Sequence, residues 1–181
     1  RPRTLQGTVQ VNGKEGRVGT PVNMGDRVAT GKGSTAVVVV NKDAFLLREN
    51  TSIEVAGNNG LMETLRVSAG QLLSVFGKGQ PRSIQVKNAT IGIRGTGAYV
   101  ESHEGRTYLC LCYGEAGVQL EKKQDPIALK TTYHESPLWL YDDRAEKGPF
   151  LNHTDSELEM LEGLFGRDTP FKSLPQDTKR Y

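Results

Sequence analysis

The chain has 181 residues, 24% of them charged, and a formal net charge of +2 at pH 7. This length is enough for one domain with a proper core. The near balance of charge excludes a strongly basic nucleic-acid footprint, and no apolar run approaches the roughly 18 residues of a membrane-spanning helix. We therefore expect a globular domain with no nucleic-acid partner and no membrane span in this chain.

Residues 7–121 show the pattern of short strands separated by turns. Apolar and polar residues alternate in "GTVQVNG" and "SIQVK", while Val37 to Val40 form a β-branched run that predicts burial on both faces. The stretch "GLMETLRVSAGQLLSVFG" predicts a hairpin that turns at "SAG" (68–70). Three apolar residues are expected on one face of its first arm: Leu61, Leu65 and Val67.

The stretch "ATIGIRGTGAYVE" (89–101) holds three glycines in the spacing G-x-x-G-x-G. This spacing fits neither a Walker loop nor a dinucleotide fingerprint, and a strand-like segment follows where a phosphate loop would need a helix. We expect a sharp turn or bulge, because glycine permits positive φ and close backbone approach. The alternative is that Arg94, together with Thr96, contacts a partner.

Beyond residue 122 the alternation stops. Residues 123–153 are rich in proline and aromatic residues, which predicts an extended segment wrapped on the β-domain of residues 1–122, with one strand near 127–133. A helix is predicted at 154–166, because Thr154 and Glu157 form a capping box and Leu158, Leu161 and Phe165 recur at helical spacing. Residues 167–181 are predicted to be a loose tail.

Several motifs follow one another in the order found in the FecR domain, and residues 7–121 resemble that family. The family pattern is a G-D-x-x-x-T-G turn, an N-T segment, a glycine–leucine hairpin and an I-R-G-T element. The matching positions are Gly25-Asp26 with Thr30-Gly31, Asn50-Thr51, Gly70 with Leu72, and Ile93 to Gly97.

This resemblance implies a single antiparallel all-β domain, sandwich-like or solenoid-like, here with one short C-terminal helix. It also implies a periplasmic or extracytoplasmic location. We accordingly expect a periplasmic protein whose signal peptide has been removed, with an envelope protein or a glycan as partner. Well-known members are iron-uptake sensors that signal to a cytoplasmic anti-sigma region. Since this chain lacks an anti-sigma region, a membrane helix and a βαβ signalling subdomain, we expect a stand-alone secreted FecR-domain protein.

Two cysteines lie in "TYLCLCYG", on the second arm of a predicted hairpin that turns at "HEG" (103–105). In a strand, Cys110 and Cys112 would share a face with Cβ atoms about 6 to 7 Å apart, beyond the roughly 3.5 to 4.5 Å of a disulfide. Together with His134 and His153 they would suit zinc or another transition metal, with haem as a further alternative. Buried structural thiols and a redox pair are the other interpretations. His103, at the turn, is expected to be exposed.

Enzyme motifs are weak in this sequence. It contains neither G-x-S-x-G nor H-E-x-x-H, and no feature of the sequence activates either cysteine as a nucleophile. We therefore expect a non-enzymatic binding, scaffolding or signalling module, with a metal- or haem-binding periplasmic protein as the alternative.

Overall fold

The computed structural model describes residues 1–175, and in that range the chain forms fifteen β-strands and one α-helix. Residues 176–181 of the predicted tail lie outside the described range. The strands are β1 (Pro2–Gln6), β2 (Val9–Val11), β3 (Lys14–Glu15), β4 (Arg27–Thr30), β5 (Thr35–Val40), β6 (Asp43–Leu47), β7 (Ser52–Asn58), β8 (Leu61–Ala69), β9 (Gln71–Val75), β10 (Arg82–Gln85), β11 (Ala89–His103), β12 (Arg106–Leu120), β13 (Ile127–Thr131), β14 (Leu138–Leu140) and β15 (Ala145–Lys147). The helix is α1 (Asp155–Gly163).

These strands form one curled sheet, which confirms the predicted all-β class with a single short C-terminal helix. The order across the sheet is β1-β5-β6-β9-β11-β10-β8-β7-β4-β2-β3, and β12 joins β11 to β13 and β14. One pair departs from the predicted antiparallel pattern: β8 and β10 run parallel, with Leu65 opposite Ile84. The segment expected to wrap over the β-domain adds β13, β14 and β15 to the same sheet.

A long hairpin of β11 and β12 is the centre of the sheet, and its predicted turn at 103–105 is confirmed by the pairing of His103 with Arg106. The other edge of β11 is shared, with β10 along its first half and β9 along its second. Between these halves the register of β11 shifts at Arg94 to Gly97, and Gly95 has a φ of 51°. The glycine-rich stretch is therefore a β-bulge that bends the hairpin.

The predicted hairpin at 68–70 is wrong, because β8 and β9 do not pair with each other. Strand β8 pairs with β7 and β10, whereas β9 pairs with β6 and β11. Gly70 has a φ of 91°, and the hydroxyl of Thr51 accepts a hydrogen bond from the amide of Gln71 at 3.0 Å. This contact makes a corner where the chain passes from one part of the sheet to another.

One residue of β8 also faces the opposite way from the prediction. Leu61 is 45% exposed and Met62 is buried, because a bulge opposite Ala56 and Gly57 adds one residue to β8. An extra residue exchanges the inward and outward positions beyond it. Leu65 and Val67, on the other side of the bulge, are buried as predicted.

Two apolar cores lie on opposite faces of the sheet. The larger contains residues such as Val38, Leu72 and Leu109, and the second contains Leu73 and Tyr108. Because the strands between these cores have both faces covered, Val37, Val38 and Val40 are all buried, in agreement with the β-branched run.

Helix α1 covers the second core. Its predicted capping box is confirmed: the Glu157 amide donates to Thr154 Oγ1 at 3.2 Å, and the Thr154 amide donates to Glu157 Oε1 at 3.0 Å. Leu158 and Leu161 are fully buried, while Phe165 is only partly buried.

The prediction of a loose tail from residue 167 is wrong for Phe171, which is fully buried in the second core. Its ring centroid lies 5.9 Å from that of Tyr113 and 5.0 Å from that of Tyr133. Burial of a large aromatic side chain is a strong apolar gain, so the chain after the helix packs down on the sheet.

Candidate functional site

The two cysteines lie on the face of β12 that looks into the second core. Leu109 and Leu111 alternate with the cysteines along the strand and face the larger core. The structure buries both pairs, because each face of β12 is covered. Cys110 and Cys112 are fully buried free thiols.

His134 approaches these thiols from the loop after β13. Its amide donates a hydrogen bond to the Cys112 carbonyl at 3.0 Å, and its backbone has a φ of 50°. This backbone contact places His134 Nδ1 3.5 Å from Cys110 Sγ. On the other side of the ring, Nε2 lies 2.9 Å from Oδ1 of Asp155.

His153 approaches from the segment just before α1. Its Nε2 lies 3.3 Å from Cys112 Sγ, and its Nδ1 donates to the Leu151 carbonyl at 2.6 Å. The ring stacks on Tyr99, with centroids 4.5 Å apart and an interplanar angle of 20°. Both nitrogens of each imidazole are therefore engaged.

The four predicted ligands thus meet in one place, which we call the Cys–His cluster (Cys110, Cys112, His134 and His153). Their ligand atoms all lie within 4.8 Å of one another, and all four residues are buried. The remaining histidine, His103, is exposed as expected and lies at the end of β11.

Electrostatic interactions within the cluster shift the pKa values of the two thiols in opposite directions. A hydrogen bond with Cys112, aided by contacts with both histidines, holds the pKa of Cys110 well below its usual range. Burial raises the pKa of Cys112 well above its usual range. Burial disfavours the charged form of His134, but contacts with Cys110 and Asp155 outweigh it and raise the pKa of that imidazole. In the absence of a cation, the cluster therefore favours one thiolate rather than two.

Asp155 is a member of this site that sequence reasoning missed. Its Oδ2 accepts a hydrogen bond from the Tyr133 hydroxyl at 2.5 Å, while Oδ1 contacts His134. Asp155 lies in the first turn of α1, where an acidic residue suits the positive end of the helix. Its contact with a histidine 21 residues away carries no local sequence signal.

The two predicted partner-binding residues, Arg94 and Thr96, lie at the bulge and differ in their exposure to solvent. Arg94 is exposed, and within residues 1–175 its guanidinium makes no hydrogen bond or ion pair. Thr96 is fully buried, so its side chain cannot reach a partner, and this part of the prediction is wrong. The reason is the bulge itself, which turns Thr96 inward against Gly114 on β12.

Arg94 borders a cleft of about 530 Å3 on the outer surface of β10 to β13. The floor is made of small residues in register on three neighbouring strands: Gly92, Gly117 and Ala128. Charged residues stand at one side, where Glu115 pairs with Lys130 at 3.5 Å. The cleft extends towards Lys78 and Gly79 through a second recess that Arg94 also lines.

The architecture defines this protein as an all-β module with a bent central hairpin and one terminal helix. A family model described as "FecR protein" matches residues 26–131, from just before β4 to the end of β13. The chain belongs to the FecR family.

Solved structures agree with this fold. Two crystal structures of a candidate anti-sigma factor from Parabacteroides distasonis ATCC 8503 are similar to the chain, each with a TM-score of 0.56. One is 11% identical and covers 74% of this chain and 71% of its own; the other is 12% identical and covers 78% and 75%. No curated protein matches the chain significantly in sequence. The helix found in residues 1–175 is not long and apolar enough to cross a membrane.

Proposed function

We propose that this protein is a non-enzymatic, periplasmic FecR-family module that binds an envelope protein and serves in scaffolding or signalling. The observation that carries this proposal is the family match over residues 26–131, which includes the whole central hairpin. The two similar solved structures are of a candidate anti-sigma factor, which supports a signalling role. A glycan is the other class of partner that an envelope location would offer.

A non-enzymatic role is supported by the position of the nucleophiles. Cys110 and Cys112 are the only thiols of the chain, and both are fully buried. A thiol with no exposed surface cannot attack a substrate that arrives from solvent.

Partner binding is best placed at the cleft beside Arg94. An exposed guanidinium without an internal partner is suited to bind carboxylates or backbone carbonyls. The cleft also includes β13, which pairs with β12 alone among the described strands. An unpaired strand edge offers backbone N–H and C=O groups to an extended peptide, and this favours a protein partner over a glycan.

Site-specific photocrosslinking in cells of the native host would test this proposal. A crosslinking residue at position 128, on the exposed floor of the cleft, is compared with one at position 14, an exposed site on β3 at the far edge of the sheet. We expect a discrete adduct with an envelope protein from position 128 only, recovered in the periplasmic fraction. A cytoplasmic location, or the same adducts from both positions, would contradict the proposal. An adduct with glycan alone would refute the protein partner.

A further inference from the structure

We infer that the Cys–His cluster is a zinc site that fastens the C-terminal strap (residues 132–175) to the sheet. This inference is independent of the proposed partner binding, because the cluster lies in the interior and the cleft lies on the outer surface. Two ligands come from β12 and two from the strap, so a bound ion would join them.

The distances between ligand atoms suit a tetrahedral ion. Zinc binds cysteine sulfur at about 2.3 Å and histidine nitrogen at about 2.0 to 2.1 Å, so a tetrahedral angle places S and N roughly 3.5 Å apart. Cys110 Sγ lies 3.5 Å from His134 Nδ1, and Cys112 Sγ lies 3.3 Å from His153 Nε2. With all four atoms within 4.8 Å of one another, an ion fits with small side-chain adjustments.

Both imidazoles are oriented as zinc ligands are. In metal sites the non-ligating nitrogen commonly donates its proton to a carboxylate or a backbone carbonyl, which leaves the other nitrogen as a lone-pair donor. Here Asp155 is placed to accept from His134 Nε2, and the Leu151 carbonyl accepts from His153 Nδ1. The nitrogens that face the cysteines are therefore the ones placed to ligate an ion.

Hydrogen bonds between thiols and imidazoles are the competing explanation of these contacts. One hydrogen bond between sulfur and imidazole in each pair, with the sulfur as thiol or thiolate, would account for the two short S···N distances. Two separate hydrogen-bonded pairs would not need to lie next to each other, yet all four ligand atoms lie within 4.8 Å of one another. Convergence of all four atoms is the geometry that a single shared ion demands.

The donor set selects zinc among the candidate metals. Two thiolates and two imidazoles in a closed, buried site are typical of structural zinc. The charge balances, since Zn²⁺ cancels two thiolates and leaves the histidines neutral; any proton still held by a ligating atom is released to solvent on binding. Haem is disfavoured, because ligand atoms so close together leave no room for a macrocycle between them.

The positions of the ligands in the chain explain why the ion would fasten the C-terminal strap to the sheet. His134 is near the beginning of the strap, and His153 comes directly before α1. The strap covers the second core with Leu158, Leu161 and Phe171. A bound ion would hold it at two points, so we expect loss of zinc to loosen the strap before the rest of the sheet.

Metal analysis of the full chain, purified under reducing conditions without an affinity tag, is the primary test. We expect one zinc per chain and, after chelation and exchange with Co²⁺, the absorption of a tetrahedral thiolate complex. Cys112→Ala should abolish stoichiometric zinc, while His103→Ala, which changes a histidine outside the cluster, should retain it. Should Cys112→Ala fail to fold, the wild-type chain with and without chelator still decides. Absence of zinc binding by the folded, reduced chain, or uptake of copper but not zinc, would overturn the assignment.

Hydrogen exchange of the zinc-loaded and zinc-free chain tests the fastening separately. We expect faster exchange in residues 132–165 without zinc and unchanged exchange in β2, β4 and β7, whose buried apolar residues belong to the larger core. If zinc binds at one per chain but exchange is unchanged, or rises equally throughout the sheet, the site exists and the fastening role is wrong.

Discussion

Arg48 and Glu157 form a bidentate ion pair between the end of β6 and the first turn of α1. The Nη1–Oε2 distance is 2.6 Å and the Nη2–Oε1 distance is 2.9 Å, although the residues are 109 positions apart. Arg48 Nη2 also donates to the Asn152 carbonyl at 2.8 Å. One side chain of the sheet therefore holds both the helix N-terminus and the segment that carries His153.

Arg48→Ala should lower the free energy of unfolding by about 1 kcal/mol at pH 7. This value is at the upper end of the free-energy contributions of exposed ion pairs. We expect it because the pair is bidentate and each side chain is only 24% exposed. Urea unfolding measures the change. Lys122→Ala, which removes a 3.7 Å pair with Asp142 whose side chains are 70% and 42% exposed, is the control and should have no measurable effect.

The contribution of this pair should depend on pH. Burial tends to raise the pKa of Glu157, but the hydrogen bonds and charge of Arg48 outweigh it and lower that pKa. A carboxyl group whose pKa is lowered on folding stabilises the protein above its unfolded value of about 4.3, and the stabilisation is lost as the pH falls through the folded value. The stability difference between wild type and Glu157→Gln should therefore shrink below about pH 4. A difference that stays constant from pH 7 to pH 3 would contradict this assignment.

Arg82→Ala should be far more damaging than loss of a surface pair. Arg82 Nε lies 2.8 Å from Asp43 Oδ2, with both side chains buried, and Asp43 also accepts from the Gly77 amide at 2.9 Å. Removing one partner of a buried pair costs about 3 to 5 kcal/mol, because the other charge is left uncompensated. Arg66→Ala, which breaks a 2.6 Å pair with Glu54 at the surface, should cost less than about 1 kcal/mol by thermal unfolding. Equal costs would refute the argument from burial.

Gly97→Ala tests the packing at the bulge. A Cβ at this position would lie 2.6 Å from two ring atoms of Tyr113, a side chain that is itself buried. The ring cannot withdraw freely, so we expect a cost on the order of 1 to 3 kcal/mol. Gly117→Ala is the matched control on β12, where a Cβ would have no neighbour within 4 Å, and it should change stability by less than about 0.5 kcal/mol.

Leu161→Ala measures how firmly α1 is docked. Leu161 is fully buried, and truncation of a buried leucine to alanine costs about 2 to 5 kcal/mol. The neighbouring Met160 is 41% exposed, so Met160→Ala should cost less than about 0.5 kcal/mol. If both variants unfold at the wild-type urea concentration, the helix is an appendage that contributes nothing to the stability of the sheet.

Asp155→Asn tests the orientation of His134 within the proposed zinc site. Loss of the carboxylate partner of a ligating histidine typically lowers metal affinity about 10- to 100-fold. We expect that decrease in competition titrations with a chelating dye, with one zinc per chain retained at saturation. Asp125→Asn, at an exposed position in the turn before β13, should leave the affinity unchanged. Wild-type affinity in Asp155→Asn would show that this carboxylate does not orient the ligand.

Local sequence chemistry was sufficient to predict several elements of the structure. The turn at 103–105, the capping box of Thr154 and Glu157, and the bulge around Gly95 each depend on residues within a few positions of one another. The conformational preferences of glycine and the hydrogen bonds of a helix cap act over that same short range. The class of fold and the family could be recognised for the same reason, because they consist of such local motifs in order.

Tertiary structure alone decided how these elements meet. The corner at Gly70, the inward turn of Thr96 and the contact of Asp155 with His134 all depend on partners far away in the chain. One inserted residue at a bulge reverses which side chains face inward, so alternation read from the sequence fails beyond it. The Cys–His cluster depends on both sequence and tertiary structure. Its four residues could be named from the sequence as candidate metal ligands. Their convergence depends on β12 being covered by a strap that is docked through buried apolar side chains.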